Sequence, residues 1–434
     1  MQTINRSEIP HFPFHRPVTR TVSSKPKNTR PGKGSHAGGR PPAIVLKLGV
    51  TGMATARALA EDGVNVHVAA FNKTDPGLCS SRFTMVDLES TGGDPDQVLN
   101  WLIQYAGQLG NRPVVIPTSD TFALMLAQHR DRLLEVCRIW NTSYDQLNTI
   151  VSKERLYAVA EKSGVPVVPM IVAPGPEQLA GWCRKHPEPY FVKPYYEAVP
   201  GCALGMKNRI FDTSAELLDY VDRNGSAELI VQRLIEGGDE HIYDCYGMCG
   251  VDGRPVALAS HSRLRQYPPD RGTTTYGEIP AAPEDVNEQA LFAHTRKLLE
   301  MVYYHGIFGI EWLQERDTGN LYLIDFNARP FLSVGHLRDC GLNLPLLAYR
   351  ELIGEPVENQ PLTPPLRHLF WLDLWRDFGA FRATRKRRNL SWGEWLNSLL
   401  GCRSFAYWDV GDPGPALRAA RQRLGAVWRH LFPG

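Results

Sequence analysis

From about residue 42 the apolar positions alternate between two rhythms, one of strand type and one of helix type. Ala43-Ile-Val-Leu-Lys-Leu is a buried-strand run, and Gly49-Val-Thr-Gly52 turns it into a helical pattern over Met53 to Asp62. Gly63 caps that helix, and Val64-Asn-Val-His-Val-Ala predicts a second strand. The opening is therefore a βαβ unit with a parallel sheet. Val114-Val-Ile-Pro-Thr-Ser-Asp120 predicts another strand, with Ser119 or Asp120 capping the next helix. A helix start at a strand end also suits an anionic substrate. The first turn lacks the third glycine of a dinucleotide fingerprint, and no acid closes the second strand, so it reads as a tight turn.

The rhythm changes at Ser152. Residues Ser152 to Gly164 form a helical pattern ended by glycine, followed by two strand-like segments, Tyr190-Phe-Val-Lys-Pro194 and Glu228 to Ile235. A glycine-containing loop, Pro200-Gly-Cys-Ala-Leu-Gly205, lies between them. Further strands are predicted at Tyr243–Met248, Val256–His261, Phe308–Leu313 and Leu321–Phe326. The predicted fold class is α/β with an α+β lid. Its divisions are a tail over 1–41, a Rossmann-like domain over 42–150, a second domain over 151–355, and an extension over 356–434 rich in Trp and Arg.

Formal net charge is only +2, which singles out no class of partner, but the charge is unevenly spread. Residues 1–41 hold eight Lys and Arg against Glu8, many Pro, Gly and Ser, and little hydrophobic periodicity. Such a segment buries too little apolar surface to offset its ordering entropy, so it reads as a disordered basic tail. Pro10, Pro13 and Pro17 interrupt any apolar run of the secretory kind. The eight cysteines form no Cys-x-x-Cys pair and no zinc spacing, which favours reduced thiols in a cytoplasmic protein. No apolar run reaches the roughly 18 residues of a membrane span.

Candidate chemistry lies between residues 150 and 330. Lys193 ends an apolar strand just before the glycine-containing loop, a pairing suited to phosphate oxygens. Val231-Gln-Arg-Leu-Ile235 runs into Gly237-Gly-Asp-Glu240, offering backbone polar groups and apolar surface to an adenine and a carboxylate to a ribose. His261-Ser-Arg-Leu-Arg265 and Arg271-Gly-Thr-Thr-Thr275 gather guanidinium and hydroxyl groups near an expected turn. Gly309-Ile-Glu-Trp-Leu and Leu321-Tyr-Leu-Ile-Asp325-Phe-Asn327-Ala-Arg329 form two strands joined by Asp317-Thr-Gly-Asn320. Asp325 and Asn327 share one face, and Glu311 on the partner strand can meet them. Three hard oxygen donors on one face of otherwise apolar strands point to a divalent cation.

In this order the motifs resemble the ATP-grasp superfamily over about residues 43–355. The resemblance implies an ATP-grasp domain over 151–355, with a lid at about 155–235 and a catalytic lobe at 236–355, preceded by the Rossmann-like domain. It implies ATP as nucleotide and Mg2+, or Mn2+ in its place. Lys153 and Lys193 resemble the phosphate-binding lysines, and Gln232, Arg233 and Ile235 the adenine hinge. Asp239 or Glu240 resembles the ribose-binding acid. Glu311, Asp325 and Asn327 resemble the metal ligands, Arg329 the guanidinium that steadies an acyl phosphate, and Arg265 a basic residue near the transferred phosphate. Arg263-Leu-Arg-Gln-Tyr-Pro-Pro-Asp, Gly272-Thr-Thr, Gly341-Leu-Asn-Leu-Pro, Trp392-Gly-Glu-Trp and Asp412-Pro are similar to D-aspartate-ligase-like carboxylate–amine ligases. Three positions depart from the pattern. Asp325 replaces a longer Glu, Ala328 replaces a proline, and the lid loop lacks its serine.

The implied activity is ADP-forming ligation of a small carboxylate to an amine. The competing readings are a degenerate ATP-binding sensor or scaffold and carboxyphosphate chemistry of the carboxylase kind. Ser333 and His336 are candidates for gripping a substrate, with capping or core packing as the alternative. Trp392, Trp395, Leu396, Leu399 and Leu400 share one helical face, preceded by Arg385-Lys-Arg-Arg388. That stripe would dock on the catalytic lobe or bind an anionic membrane peripherally. No motif supports nucleic-acid binding, and a homo-oligomer is compatible with the sequence.

Overall fold

A computed structural model describes residues 39–434 apart from 173, 195–208, 226–228, 238, 270–271, 282–285, 358–363, 366–368, 387–388 and 432–434; side chains at 194, 239 and 426–431 also lie outside the description. The basic tail up to residue 38 and the loop at 200–205 thus fall outside the described residues, while Arg40, counted with the tail, pairs with Asp62 at 2.7 Å and Glu355 at 3.2 Å.

The first sheet is parallel, with strands β1 (Ala43–Leu46), β2 (Val66–Ala70), β3 (Thr84–Asp87) and β4 (Val114–Pro117) in the order β3-β2-β1-β4. Both faces are covered, which explains the continuous apolar runs. Ile44, Leu46 and Val115 pack with Leu99, Leu102 and Phe122 of the helices Pro95–Leu109 and Asp120–Gln128. Ala43, Val45 and Ile116 face the opposite way, onto Phe331, Leu337 and Leu344. The Gly49–Ala60 helix starts tightly against the strand: a Cβ at Gly52 would lie 2.1 Å from the Lys47 carbonyl oxygen. The Gly49 N–H donates to Asp75 Oδ2 at 2.8 Å, so a carboxylate of the chain already caps this helix.

The second sheet is small and antiparallel, with β5 (Met170–Val172), β6 (Tyr190–Pro194), β7 (Arg209–Phe211) and β8 (Leu229–Arg233) ordered β5-β8-β6-β7. Leu179, Tyr190, Val192, Leu217 and Val231 form its core with the helices Pro176–Cys183 and Ser214–Asn224.

The third sheet has seven strands: β9 (Ile242–Cys249), β10 (Pro255–Tyr267), β11 (Thr273–Ile279), β12 (Gly306–Gln314), β13 (Leu321–Asn327), β14 (Leu369–Leu372) and β15 (Cys402–Phe405). Their order is β13-β12-β9-β10-β11-β14-β15, antiparallel except for the last pair. Three differences from expectation stand out. β10 runs on to Tyr267, and the expected turn near residue 272 leads directly into β11. The extension beyond 356 is not only helical, because β14 and β15 complete this sheet. Its third tie is Asp412, which accepts from the buried Arg57 Nε at 3.0 Å and from Ser80 Oγ at 2.6 Å. Arg40 to Gly434 accordingly forms one unit.

Candidate active site

β12 and β13 set Glu311 directly opposite Asp325, and β9 sets Asp244 opposite Glu311 on its other side. His261 of β10 is the next partner in the row, opposite Asp244. Cross-strand partners share a face, so three carboxylates and an imidazole line one row across the sheet. Crowded carboxylates need cations, and the chain supplies two. Lys153 Nζ lies 2.8 Å from Asp325 Oδ1. Arg263 donates through Nε (3.0 Å) and Nη2 (2.5 Å) to Asp244, and its Nη2 lies 2.9 Å from Glu311 Oε1.

These pairings decide the protonation of the row. Burial pushes the Glu311 carboxyl up, and the carboxylates of Asp244 and Asp325 add to it against the pull of Arg263. Burial also opposes charge on Asp325, but Lys153 outweighs it and holds that carboxyl below its ordinary value, with Lys193 contributing. Asp244 is wholly buried, yet Arg263 and the His261 hydrogen bond hold its carboxyl well below the usual range. Tyr246 Oη donates to Asp244 Oδ2 at 3.0 Å, and Ser333 Oγ donates on to Tyr246 Oη at 3.1 Å.

The remaining groups close a chain towards the first sheet. Asn327 Nδ2 donates to Glu311 Oε1 at 3.1 Å, and Arg329 Nη2 donates to Asn327 Oδ1 at 3.0 Å. Arg329 then spends its fork on Asp120 at the start of the Asp120–Gln128 helix, at 2.9 and 3.1 Å. Ser119, not Asp120, caps that helix, by accepting from the Phe122 N–H. Asp120 is thus left to join the parallel sheet to the β13 turn.

From the side of the second sheet, the Glu236–Gly237 segment runs beside the end of β12, where Arg316 N donates to Glu236 O at 2.8 Å. Gln232 and Ile235 are buried, and the Gln232 side chain faces the buried Tyr157 hydroxyl. Arg233 instead pairs with Glu315 Oε1 at 3.0 Å and reaches Tyr322 Oη at 3.3 Å. Glu240 lies exposed, 4.0 Å from Arg316 Nη2, while Asp239 falls in the turn Asp239–His241 with its side chain outside the described residues.

Arg265 does not take the place expected of it. Its guanidinium is buried and bidentate on Asp377, at 2.8 and 2.9 Å, and lies 4.0 Å from the Tyr276 ring centre. The guanidinium that touches the carboxylate row is Arg263. A β-bulge explains the exchange: Arg263 pairs with Gly277 but Arg265 with Tyr276, so two residues of β10 pass for one of β11. The signal for Asp244 was a lone charge inside the mostly apolar run of β9, whereas Arg263 sits in the polar stretch His261–Gln266, where nothing local sets it apart from Arg265. Ser333 and His336 are both buried, Ser333 donating to Tyr246 Oη and His336 donating through Nε2 to the Leu369 carbonyl at 2.7 Å. A partly open cavity lined by Pro117, Trp140, Tyr304 and Ala328 holds about 30 Å³, room for water only.

Among the described residues no three Asp, Glu, His or Cys side chains converge as a ligand set. Glu311 and Asp325 stand opposite each other on β12 and β13, while Asn327 turns its amide nitrogen to Glu311 and its oxygen to Arg329. Two such carboxylates suit a magnesium ion, which completes its shell with phosphate and water. Burial is the main reason the Glu311 carboxyl is raised, with the neighbouring carboxylates adding to it, so a bound cation would favour its charged form.

No family model matches the chain. A 218-residue stretch is 23% identical to the arginine-specific carbamoyl phosphate synthase large chain of Geobacillus stearothermophilus, covering 49% of this chain and 20% of that one. This chain therefore spans about a fifth of that relative's length. Among solved structures, the ADP complex of an N5-carboxyaminoimidazole ribonucleotide synthetase superposes with a TM-score of 0.55 at 17% identity, covering 74% of this chain and 80% of that chain. The biotin carboxylase domain of Hydrogenobacter thermophilus 2-oxoglutarate carboxylase, in complex with MgADP and bicarbonate, gives 0.57 at 16% over 76% and 74%. N5-carboxyaminoimidazole synthetase from Staphylococcus aureus gives 0.55 at 13% over 74% and 79%. The fold shared with these proteins is the ATP-grasp fold.

Proposed function

We propose, with the ATP-grasp fold as premise, that the protein is an ATP-dependent, ADP-forming ligase that joins a small carboxylate to an amine through an acyl phosphate. The observation that carries this reading is the carboxylate row of Glu311 and Asp325, joined to Asn327 and bracketed by Lys153 and Arg263.

In this reading a carboxylate oxygen of the substrate attacks the γ-phosphorus, and the bond from that phosphorus to the ADP oxygen breaks. The amine nitrogen then attacks the acyl carbon, and inorganic phosphate leaves with its bonding pair as the amine gives up a proton. Glu311, Asp325 and Asn327 would hold the Mg2+ ion, which supplies charge neutralisation at the phosphates. Lys153 at a helix start and Lys193 at the end of β6 stabilise phosphate charge. Gln232, buried at the end of β8, and the backbone at Arg233 and Ile235 receive the base. Asp239 or Glu240 holds the ribose. Arg329 steadies the acyl phosphate, and Asp120 keeps its fork aimed. Closure of the lid over these groups would keep water from the acyl phosphate.

The test is ADP release screened over amino acids of both hands, alone and in pairs, with and without bicarbonate. Release that needs an acid and an amine together supports ligation. Release driven by bicarbonate without an organic acid assigns carboxyphosphate chemistry instead. Nucleotide binding with no turnover across the panel overturns the enzyme reading in favour of a sensor. Glu311→Gln should lower turnover at least 100-fold, in line with the loss of one preorganised charge. Near-normal turnover in that variant removes Glu311 from the site.

A further inference from the structure

The stripe of the Trp392–Leu400 helix divides in two. Trp395 is buried, stacked on Phe381 at 5.0 Å, with its Nε1 donating to Asp377 at 2.8 Å, and Leu399 packs beside Tyr276, Leu372 and Cys402. Trp392, Leu396 and Leu400 lie at i, i+4 and i+8 and stay outside, 46%, 55% and 74% exposed. Burial of the inner half holds the outer half in place, so the exposed stripe is rigidly presented.

Charge surrounds it. Between residues 382 and 403 the sequence carries Arg382, Arg385, Lys386, Arg387, Arg388 and Arg403 against the single acid Glu394, in a chain of net charge +2. Arg382, Lys386 and Arg403 are exposed, and Arg385 lies 5.6 Å from the Trp392 ring centre. Leu390 N donates to Arg385 O at 2.9 Å, which holds Arg385 near the Trp392 end of the helix. Arg387 and Arg388 lie outside the described residues.

We infer that this face binds an anionic lipid surface, with Trp392, Leu396 and Leu400 entering the headgroup boundary and the flanking cations meeting lipid charge. Exposed Trp and Leu on one helix face with basic residues beside them is the arrangement such an interface selects. A second copy of the chain fits less well. A two-fold contact would set two like-charged clusters against each other, and a nine-residue helix about 13 Å long offers far less than the roughly 800 Å² per partner of a stable dimer. A polyanion such as nucleic acid would meet the cations but leave the apolar stripe unused.

The full chain is sedimented with vesicles of phosphatidylcholine alone or with 30 mol% phosphatidylserine, at about 0.1 and 0.5 M salt. Binding is expected only with phosphatidylserine, at least 10-fold weaker at the higher salt. Leu396→Ser with Leu400→Ser removes apolar surface without touching charge or core and should weaken binding at least 10-fold. Circular dichroism and thermal unfolding of that variant should match the parent. Absence of binding to phosphatidylserine vesicles overturns the inference. So does binding unchanged in the double variant, which would place it on other basic residues such as the tail. Concentration-dependent dimerisation abolished by the same two changes also overturns it, and assigns the face to a second copy.

Discussion

Removing the titration of His336 while keeping its hydrogen bond should flatten the acid sensitivity of the fold. Nε2 of this ring donates to Leu369 O at 2.7 Å, so the neutral Nε2–H tautomer is in place. Nδ1 is buried with no partner, and a proton arriving there would find no acceptor. Burial first, and the nearby His261 ring second, push the pKa down to about 3. The unfolded chain titrates near 6.5, so below that pH the unfolded state binds the proton and the folded state does not. The stabilisation from the neutral ring is fully present above about 6.5 and drains away as pH falls towards about 3. Between pH 7.5 and 5.0, before most carboxylates titrate, the loss integrates to about 2 kcal/mol, an order-of-magnitude figure. His336→Gln places an amide nitrogen near Nε2 and keeps the donor to Leu369. Amide exchange of the 334–339 helix and of β14, followed by mass spectrometry, reads the local opening energy without assuming two-state unfolding of so long a chain. The parent should lose about 2 kcal/mol of protection over that range and the variant roughly none from this source. In parallel, the His336 ring proton should not shift in NMR spectra down to pH 5. A ring that titrates near 6.5, or equal pH slopes in parent and variant, refutes the reasoning.

Two further outcomes are expected. Asp412→Asn leaves the buried Arg57 guanidinium without its carboxylate and should cost about 3–5 kcal/mol, read as early proteolysis beyond residue 406. Burial works against charge on Asp412, but the Ser80, Ser81 and Arg57 donors win and hold its carboxyl low, so its contribution stands above about pH 4 and is lost below. Asp120→Ala frees the fork of Arg329. Because this pair is partly exposed, stability should change by less than about 1 kcal/mol. ADP release should instead fall about 10–100-fold, the scale expected when a positioning contact is lost; unchanged release would confine Asp120 to structure.

How far the sequence revealed the site depends on the range of each signal. Glu311, Asp325 and Asn327 were legible because a period of two and a short hairpin bring them to one face. Lys153 was picked out only by the resemblance, and its pairing with Asp325, 172 positions on, was not legible in the sequence. Arg265 was assigned by its place in the resemblance, and a single bulged residue, which shifts the strand between Arg263 and Arg265, leaves no trace in such a positional match. The Asp120–Arg329 pair spans 209 positions, and no local pattern encodes which acid a distant arginine meets. β14 and β15 were missed for a related reason: four-residue strands at a sheet edge draw their stability from neighbours, not from their own pattern.

The buried pair of Arg57 with Asp412 also has a consequence in time. The two partners are 355 positions apart, so the helix carrying Arg57 is made long before its counter-charge exists. At roughly 5–20 residues per second the wait is on the order of 20–70 s. Through that interval the βαβ opening holds a guanidinium it cannot bury favourably, and it stays short of its final packing. Completion of the first sheet is thereby tied to arrival of the last segment. A nascent chain broken off before Asp412 would remain loose at its own beginning, exposed to proteolysis from the end made first.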